Sequence, residues 1–271
     1  MYFYTFIIIY FICIYIQYMN DVCVVFLCNK EYFRKFLYTC NQLITNGKYR
    51  GNICLVIGDD LYENELLNCD MIKDNHIIIQ YFPNIQFSNE FINIQKNIVR
   101  SSHWFQKQFQ FHKLHLFNTF FKQWNYIFYL DCGITIFSDI SPLINSKTEN
   151  TLLAHSDAYP YYEWKLHGQF DKHNTEYFTK LNDRFNLNID YFQTTIMLYD
   201  TNIINNHTYD KLLYLLLEYP ISITNDQGII ALYFTLIEPL FTQIQTHNEN
   251  IYFYDYLSRN DNYKYIMLKS I

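Results

Sequence analysis

From residue 21 onward the chain alternates between short unbroken apolar runs and longer stretches with helical spacing. Val22–Cys28 (VCVVFLC) is an apolar run of strand length. Residues 31–46 place Phe33, Phe36, Leu37, Cys40 and Leu43 or Ile44 on one side of a helix, which Gly47 ends. Asn52–Ile57 predicts a second buried strand, closed by the turn residues Gly58-Asp59-Asp60. A short helix over residues 61–68 and a third strand, His76–Gln80, follow. Residues 103–124 predict a longer helix with Phe109, Leu116, Phe117, Phe120 and Trp124 on one side. Tyr126–Leu130 is a fourth strand, followed at once by Asp131-Cys132-Gly133 and Ile134–Phe137. Strands alternating with helices predict an α/β fold of the Rossmann-like kind, a mainly parallel central sheet flanked by helices. No internal repeat and no long linker interrupts residues 19–271, which read as one domain.

The first residues follow a different pattern. Residues 2–18 (YFYTFIIIYFICIYIQY) carry no charge and would span about 26 Å as a helix, against a hydrocarbon core of about 30 Å. Residues 1–18 are therefore either a signal-anchor or a leader ahead of the true start at Met19. Against an anchor, no Lys or Arg precedes the run, and only Asn20 and Asp21 join it to the first strand. The first reading predicts a membrane-anchored protein, the second a cytoplasmic one. The seven cysteines include no Cys-x-x-Cys pair and several sit inside apolar runs, so they read as reduced core residues. A net charge of −6, with no run of Lys and Arg, excludes a broad nucleic-acid surface.

Ligands of open α/β sheets bind beyond the carboxyl ends of the strands. Asp131 is the first polar group after YIFYL, and there it can hold a divalent cation or a ribose hydroxyl, or simply form a turn. At helical spacing Lys113 falls inside the apolar arc of Phe109, Phe117 and Phe120. A lysine there needs an anionic partner, either a diphosphate or a local carboxylate, unless it snorkels to solvent. Asp226-Gln227-Gly228 opens an apolar stretch. These residues cap a helix, with Asn225 or Asp226 as N-cap, or place a carboxylate and an amide at a cleft mouth. Gln193 and Thr194 precede the strand Ile196–Tyr199 and can hydrogen-bond a polyhydroxylated ligand or serve as strand-edge residues. His112 and His115 flank Lys113 without metal-site spacing.

Taken in order, these segments resemble the glycogenin-like GT-A glycosyltransferases. The resemblance lies in Lys113-Leu114-His115, in YIFYLDCGITIFSDISPLI at 126–144, in YFQTTIMLY at 191–199, in Asp226-Gln227-Gly228-Ile229, and in Asn29-Lys30-Glu31-Tyr32 after the first strand. It covers roughly residues 21–245. It implies a UDP-sugar donor, a glycan or protein acceptor hydroxyl, a divalent metal (Mn²⁺), and transfer with retention of anomeric configuration. By the same resemblance Asp131 would touch ribose and metal, and Lys113 would hold the diphosphate or donor sugar. Asn29 and Tyr32 would line the uridine site. Gln193, Thr194, Asp226 and Gln227 would face donor sugar and acceptor. The third position of the Asp-x-Asp motif is Gly133. It leaves Asp131 and, unmatched by any motif, His247 as candidate metal ligands. This departure keeps a second reading open, a catalytically inactive relative that binds a nucleotide sugar or glycan.

Overall fold

A computed structural model describes residues 21–62, 66–98, 108–156, 158–159, 161–244, 251–256 and 264–269. The leader at 1–18 and His247 lie outside the described residues. The chain runs β1 (Val22–Cys28), α1 (Phe33–Thr45), β2 (Asn52–Ile57), α2 (Asp70–Asp74), β3 (Ile78–Tyr81) and α3 (Asn89–Asn97). Next come 3-10 helices at Phe109–Phe117 and Thr119–Gln123, then β4 (Tyr126–Leu130), β5 (Ile134–Ile136), α4 (Ser141–Ile144) and β6 (Leu152–Ala154). A 3-10 turn at Leu166–Gln169, α5 (Thr175–Arg184), β7 (Ile196–Asp200), α6 (Thr208–Glu218), α7 (Asp226–Leu232) and β8 (Phe241–Gln243) follow. Strands β9 (Ile251–Tyr256) and β10 (Lys264–Lys269) come last.

Seven strands form the central sheet in the order β3-β2-β1-β4-β7-β6-β8. It is mainly parallel, and β7 alone runs against both its neighbours. β5, β10 and β9 form a second, three-stranded sheet. Every residue of β1 and of β7 is buried, as strands covered on both faces require. Alternate residues of β1 enter two cores. Cys23, Val25 and Leu27 pack with the 109–124 segment and α7, while Val24, Phe26 and Cys28 pack against α1. Cys23, Cys28, Cys40, Cys54 and Cys132 are buried free thiols, as expected of core cysteines. Among the described residues no helix is long and apolar enough to cross a membrane.

Two elements differ from the sequence reading. The helix expected over 103–124 is two 3-10 helices, broken at Asn118, whose side chain accepts a hydrogen bond from Phe120 N; residues 103–107 lie outside the described set. From Phe111 to Phe117 every residue is buried, so the apolar spacing there marks total burial rather than one helical face. The third strand begins two residues later than expected, because His76 adopts φ +50° and turns the chain before Ile78. Of the helix expected over 61–68, residues 63–65 fall outside the described set and Leu66 is helical; α2 at Asp70–Asp74 is a further short helix.

Gly47 ends α1 as expected, though not through a left-handed backbone, which belongs to the next residue, Lys48 (φ +55°). Gly47 is required by proximity: a Cβ there would lie 2.6 Å from the Leu43 carbonyl oxygen and 3.3 Å from Ile140 Cγ2. We expect Gly47→Ala to destabilise the protein by about 1–3 kcal/mol, measured by urea unfolding. A variant as stable as wild type would show that the turn relaxes freely.

Candidate active site

The sheet order reverses direction between β1 and β4. From β1 the chain builds outward through β2 and β3, and from β4 outward through β7. Such a switch point leaves a crevice beyond the strand ends. The β1 loop starts at Asn29 and the β4 loop at Asp131, so both open onto this crevice.

Lys113 reaches it from the buried 3-10 helix. Its Nζ lies 3.2 Å from Asp131 Oδ1 and 3.2 Å from Asp226 Oδ2. It also donates to the Thr194 carbonyl and hydroxyl oxygens, each at 3.2 Å, and sits over the Tyr129 ring at 5.2 Å from its centroid. The Thr194 hydroxyl donates to Asp226 Oδ2 at 2.6 Å, and the Tyr129 hydroxyl donates to Asp131 Oδ1 at 2.6 Å. The Lys113 and Asp226 side chains are 8% and 4% exposed, while Asp131 is 25% exposed. Asp131 is thus the edge of the cluster that a ligand can touch.

The electrostatics follow from burial. Desolvation works against the Lys113 charge, but Asp131 and Asp226 outweigh it and hold the ammonium above its ordinary pKa. Burial raises the Asp226 carboxyl above the usual range, opposed by Lys113 and by the Thr194 hydroxyl. Burial, and then Asp131, raise the Tyr129 phenol, so it stays a donor.

Gln227 follows Asp226 in the first turn of α7. Its Oε1 accepts from Thr194 N at 3.3 Å and its Nε2 donates to Gln169 Oε1 at 2.9 Å. Thr224 donates to the same Gln169 oxygen at 2.7 Å. The N-cap expected at Asn225 takes another form. Asn225 makes no capping bond, lies at φ +56°, ψ −114°, and donates instead to Gln110 Oε1. A non-glycine residue in this sparsely populated region stores about 1–3 kcal/mol, and here it turns Asp226 towards Lys113.

The segment before β7 lies at the same end of the sheet. Asp131 N donates to Thr195 O at 2.9 Å, and Thr195 Oγ1 donates to Gln193 Oε1 at 3.1 Å. On the β1 side, Asn29 is buried and its Oδ1 accepts from Tyr32 N at 3.1 Å, which sets the Tyr32 backbone. The Tyr32 phenol is raised by its own burial and then by Glu31 and Asp131, which puts it within the field of the cluster. Gly133 has φ +91° and donates its N–H to Thr39 Oγ1 at 2.9 Å. Its backbone serves the fold, and it offers the crevice space rather than a functional group.

Of the sequence candidates, the structure brings together Lys113, Asp131, Asp226, Gln227, Gln193 and Thr194, with Asn29, Tyr32 and Gly133 on the β1 side. Asp131 lies within ion-pair distance of Lys113, and its side chain keeps part of its surface exposed. His112 and His115 are core residues: burial lowers their pKa values to about 4 and about 3, and His115 stacks between Phe82 and Tyr209. Sequence reasoning passed over Tyr129, Gln169 and Gln110. Tyr129 had a usable signal, since it lies two residues before Asp131 and so on the same face of the strand.

The described residues do not fit a divalent cation. No group of three His, Cys, Asp or Glu that could hold one occurs among them. Asp226 is committed to Lys113 and Thr194, which leaves one half-open carboxylate, Asp131.

The sheet, its switch point and the buried cluster beyond it define a GT-A fold of the glycosyltransferase kind. Residues 23–262 match glycosyl transferase family 8, and the chain belongs to that family. The family expectation drawn from the motifs is therefore borne out. Similar solved structures include the galactosyltransferase LgtC in complex with donor and acceptor sugar analogs. It is 13% identical, with TM-score 0.55 over 86% of this chain and 75% of that one. The mannosyltransferase Ktr4p from S. cerevisiae in complex with GDP is 10% identical, with TM-score 0.54 over 83% of this chain and 69% of that one. The bifunctional WbbM is 14% identical, with TM-score 0.55 over 88% of this chain but only 40% of its own length. No curated protein sequence matches this chain.

Lys113→Met would leave a deeply buried carboxylate without its counter-ion. We expect a loss of about 3–5 kcal/mol near neutral pH. Asp226 already has a raised pKa, and removing the ammonium raises it further. A carboxyl of raised pKa takes up its proton in the folded state first, so acid favours the folded variant. The deficit relative to wild type should therefore shrink as pH falls from neutral towards the ordinary carboxylate range. Urea unfolding across that range checks it, and a deficit that grows on acidification would contradict it.

Proposed function

We propose that this chain transfers a sugar from a nucleotide sugar, with UDP as carrier, to an acceptor hydroxyl of a glycan or protein, with retention of configuration. The observation that carries the reading is the Lys113–Asp131–Asp226 cluster at the switch point of the sheet, 3.2 Å across each ion pair. In the reaction the bond from the anomeric carbon to the diphosphate oxygen breaks and one to the acceptor oxygen forms. The acceptor's proton leaves, and negative charge builds up on the departing diphosphate. Groups held rigid beforehand stabilise such a charge best.

In this reading Asn29 and Tyr32 line the nucleoside site, and Asp131, the exposed member of the cluster, accepts from a ribose hydroxyl. Gln227 faces the donor sugar beside the position of the anomeric carbon, while Asp226, expected there by the resemblance, is sealed against Lys113 and Thr194 and acts from behind it. Gln227 presents a fixed amide, because Thr194 N and Gln169 hold its two ends. Gln193 and Thr194 support that side of the cleft. Lys113 acts as a positioning residue: its contacts go to Asp131, Asp226 and Thr194, and it sets the two carboxylates rather than reaching outward. Mn²⁺ is the metal the resemblance implies, but the described residues do not fit it, and no step of this reading passes through it.

A second reading, a nucleotide-sugar or glycan binder without turnover, is favoured by Gly133 in place of a carboxylate. A UDP-release assay over a panel of donor sugars with candidate acceptors separates the two. We expect turnover from wild type, and a fall of about a hundredfold or more in kcat for Asp131→Asn and Gln227→Ala, each assayed at a temperature where circular dichroism shows it folded. Binding of UDP without release from any donor would favour the inactive reading. Variants that turn over like wild type would place the site elsewhere.

A further inference from the structure

A lysine stands where the carboxylate motif is broken. Lys35 lies exposed in the first turn of α1. Its Cδ is 3.5 Å from the point a Cβ on Gly133 would occupy, and its ammonium sits 4.8 Å from the centroid of the Tyr32 ring. Among the described residues no carboxylate pairs with it. The stem therefore runs from the rim of the nucleoside side across the backbone of Gly133, beside Asp131.

The placement is unfavourable for the helix and favourable for an anion. The first turn of α1 carries Arg34 and Lys35 and no acidic residue, although the positive end of a helix favours the opposite sign. The charge balance points the same way. Lys113 against Asp131 and Asp226 leaves the cluster with an excess of one negative charge. A carboxylate at position 133 would double that excess, and a diphosphate could then approach only with a dication between. With glycine at 133 and Lys35 over it, the same group of charges sums to zero. A diphosphate can approach it without a dication.

We propose that the ammonium of Lys35 binds the diphosphate of the donor directly, in the role a chelated divalent cation would fill if residue 133 were a carboxylate. Donor binding is then independent of divalent metal. The inference rests on the reading of the cleft as a nucleotide-sugar site. It explains together why the motif ends in glycine and why an unpaired lysine lies across it.

The test is calorimetry on the full chain with UDP and with uridine, each in EDTA and in Mn²⁺. Wild type should bind UDP equally well in both, within about threefold. Lys35→Ala should weaken UDP about tenfold or more, the range of a lost charge-assisted hydrogen bond. Its uridine affinity should stay unchanged, and Lys35→Arg should retain UDP binding. UDP binding that requires Mn²⁺ would overturn the proposal. So would a Lys35→Ala variant that binds UDP like wild type, or one that loses uridine equally, since that would mark a disturbed Tyr32. If wild type binds neither UDP nor uridine under either condition, the cleft reading itself fails, and this proposal with it.

Discussion

The site depends on one buried cation. Lys113 brings a full positive charge into a core where desolvation costs several kcal/mol per ion. It is stable there because Asp131, Asp226 and Thr194 surround it with oxygen at hydrogen-bonding distance. The three segments that supply those oxygens are far apart in sequence. One is the exit of β4, one the approach to β7, and one the first turn of α7. An ion pair of this kind contributes little net stability compared with an apolar core, but it is unforgiving of displacement. It therefore fixes the relative position of the elements that line the cleft, which is what a transfer reaction at a single carbon needs.

The surrounding shell acts on the same cluster. Tyr129 donates to Asp131 from within its own strand, and Asn225 accepts backbone strain to aim Asp226 inward. Gln169 holds Gln227 from a turn that has no other part in the cleft. The carboxylates consequently differ in character. Asp226 is sealed and its proton affinity raised, whereas Asp131 is partly open. Only Asp131 is available to a ligand hydroxyl without rearrangement of the core.

Much of this was legible in the residues. The bounds of β1, β2 and β4 follow from unbroken apolar runs closed by Asn29, Gly58 and Asp131, because parallel strands buried on both faces leave no polar position inside. The 109–123 segment was misread, because periodicity reports a helix type only where one side meets water. Phe111–Phe117 has no such side. Lys113 was singled out from a helical arc that does not exist, yet the inference survives, since it needed only a lysine among buried neighbours. Its partners were legible as candidates but not as a set: no spacing in the chain shows that residues 113, 131, 194 and 226 converge. Gln110 and Gln169 had no signal, as amides in irregular segments are most often solvated. The antiparallel course of β7 was also hidden, for an apolar run has no direction.

That reversal of β7 has a consequence for how the cleft can change. In a purely parallel sheet only strand exits face the ligand. Here the chain leaves the cleft after Asp131 and comes back to it at Gln193, just ahead of a strand running the other way. The stretch between departure and return is tethered at both ends to the same floor, through the bond from Asp131 N to Thr195 O. That stretch is no free loop: it carries β6, which lies beside β7 in the sheet, and Gln169, which holds Gln227, so a change within it reaches the cleft from two further sides.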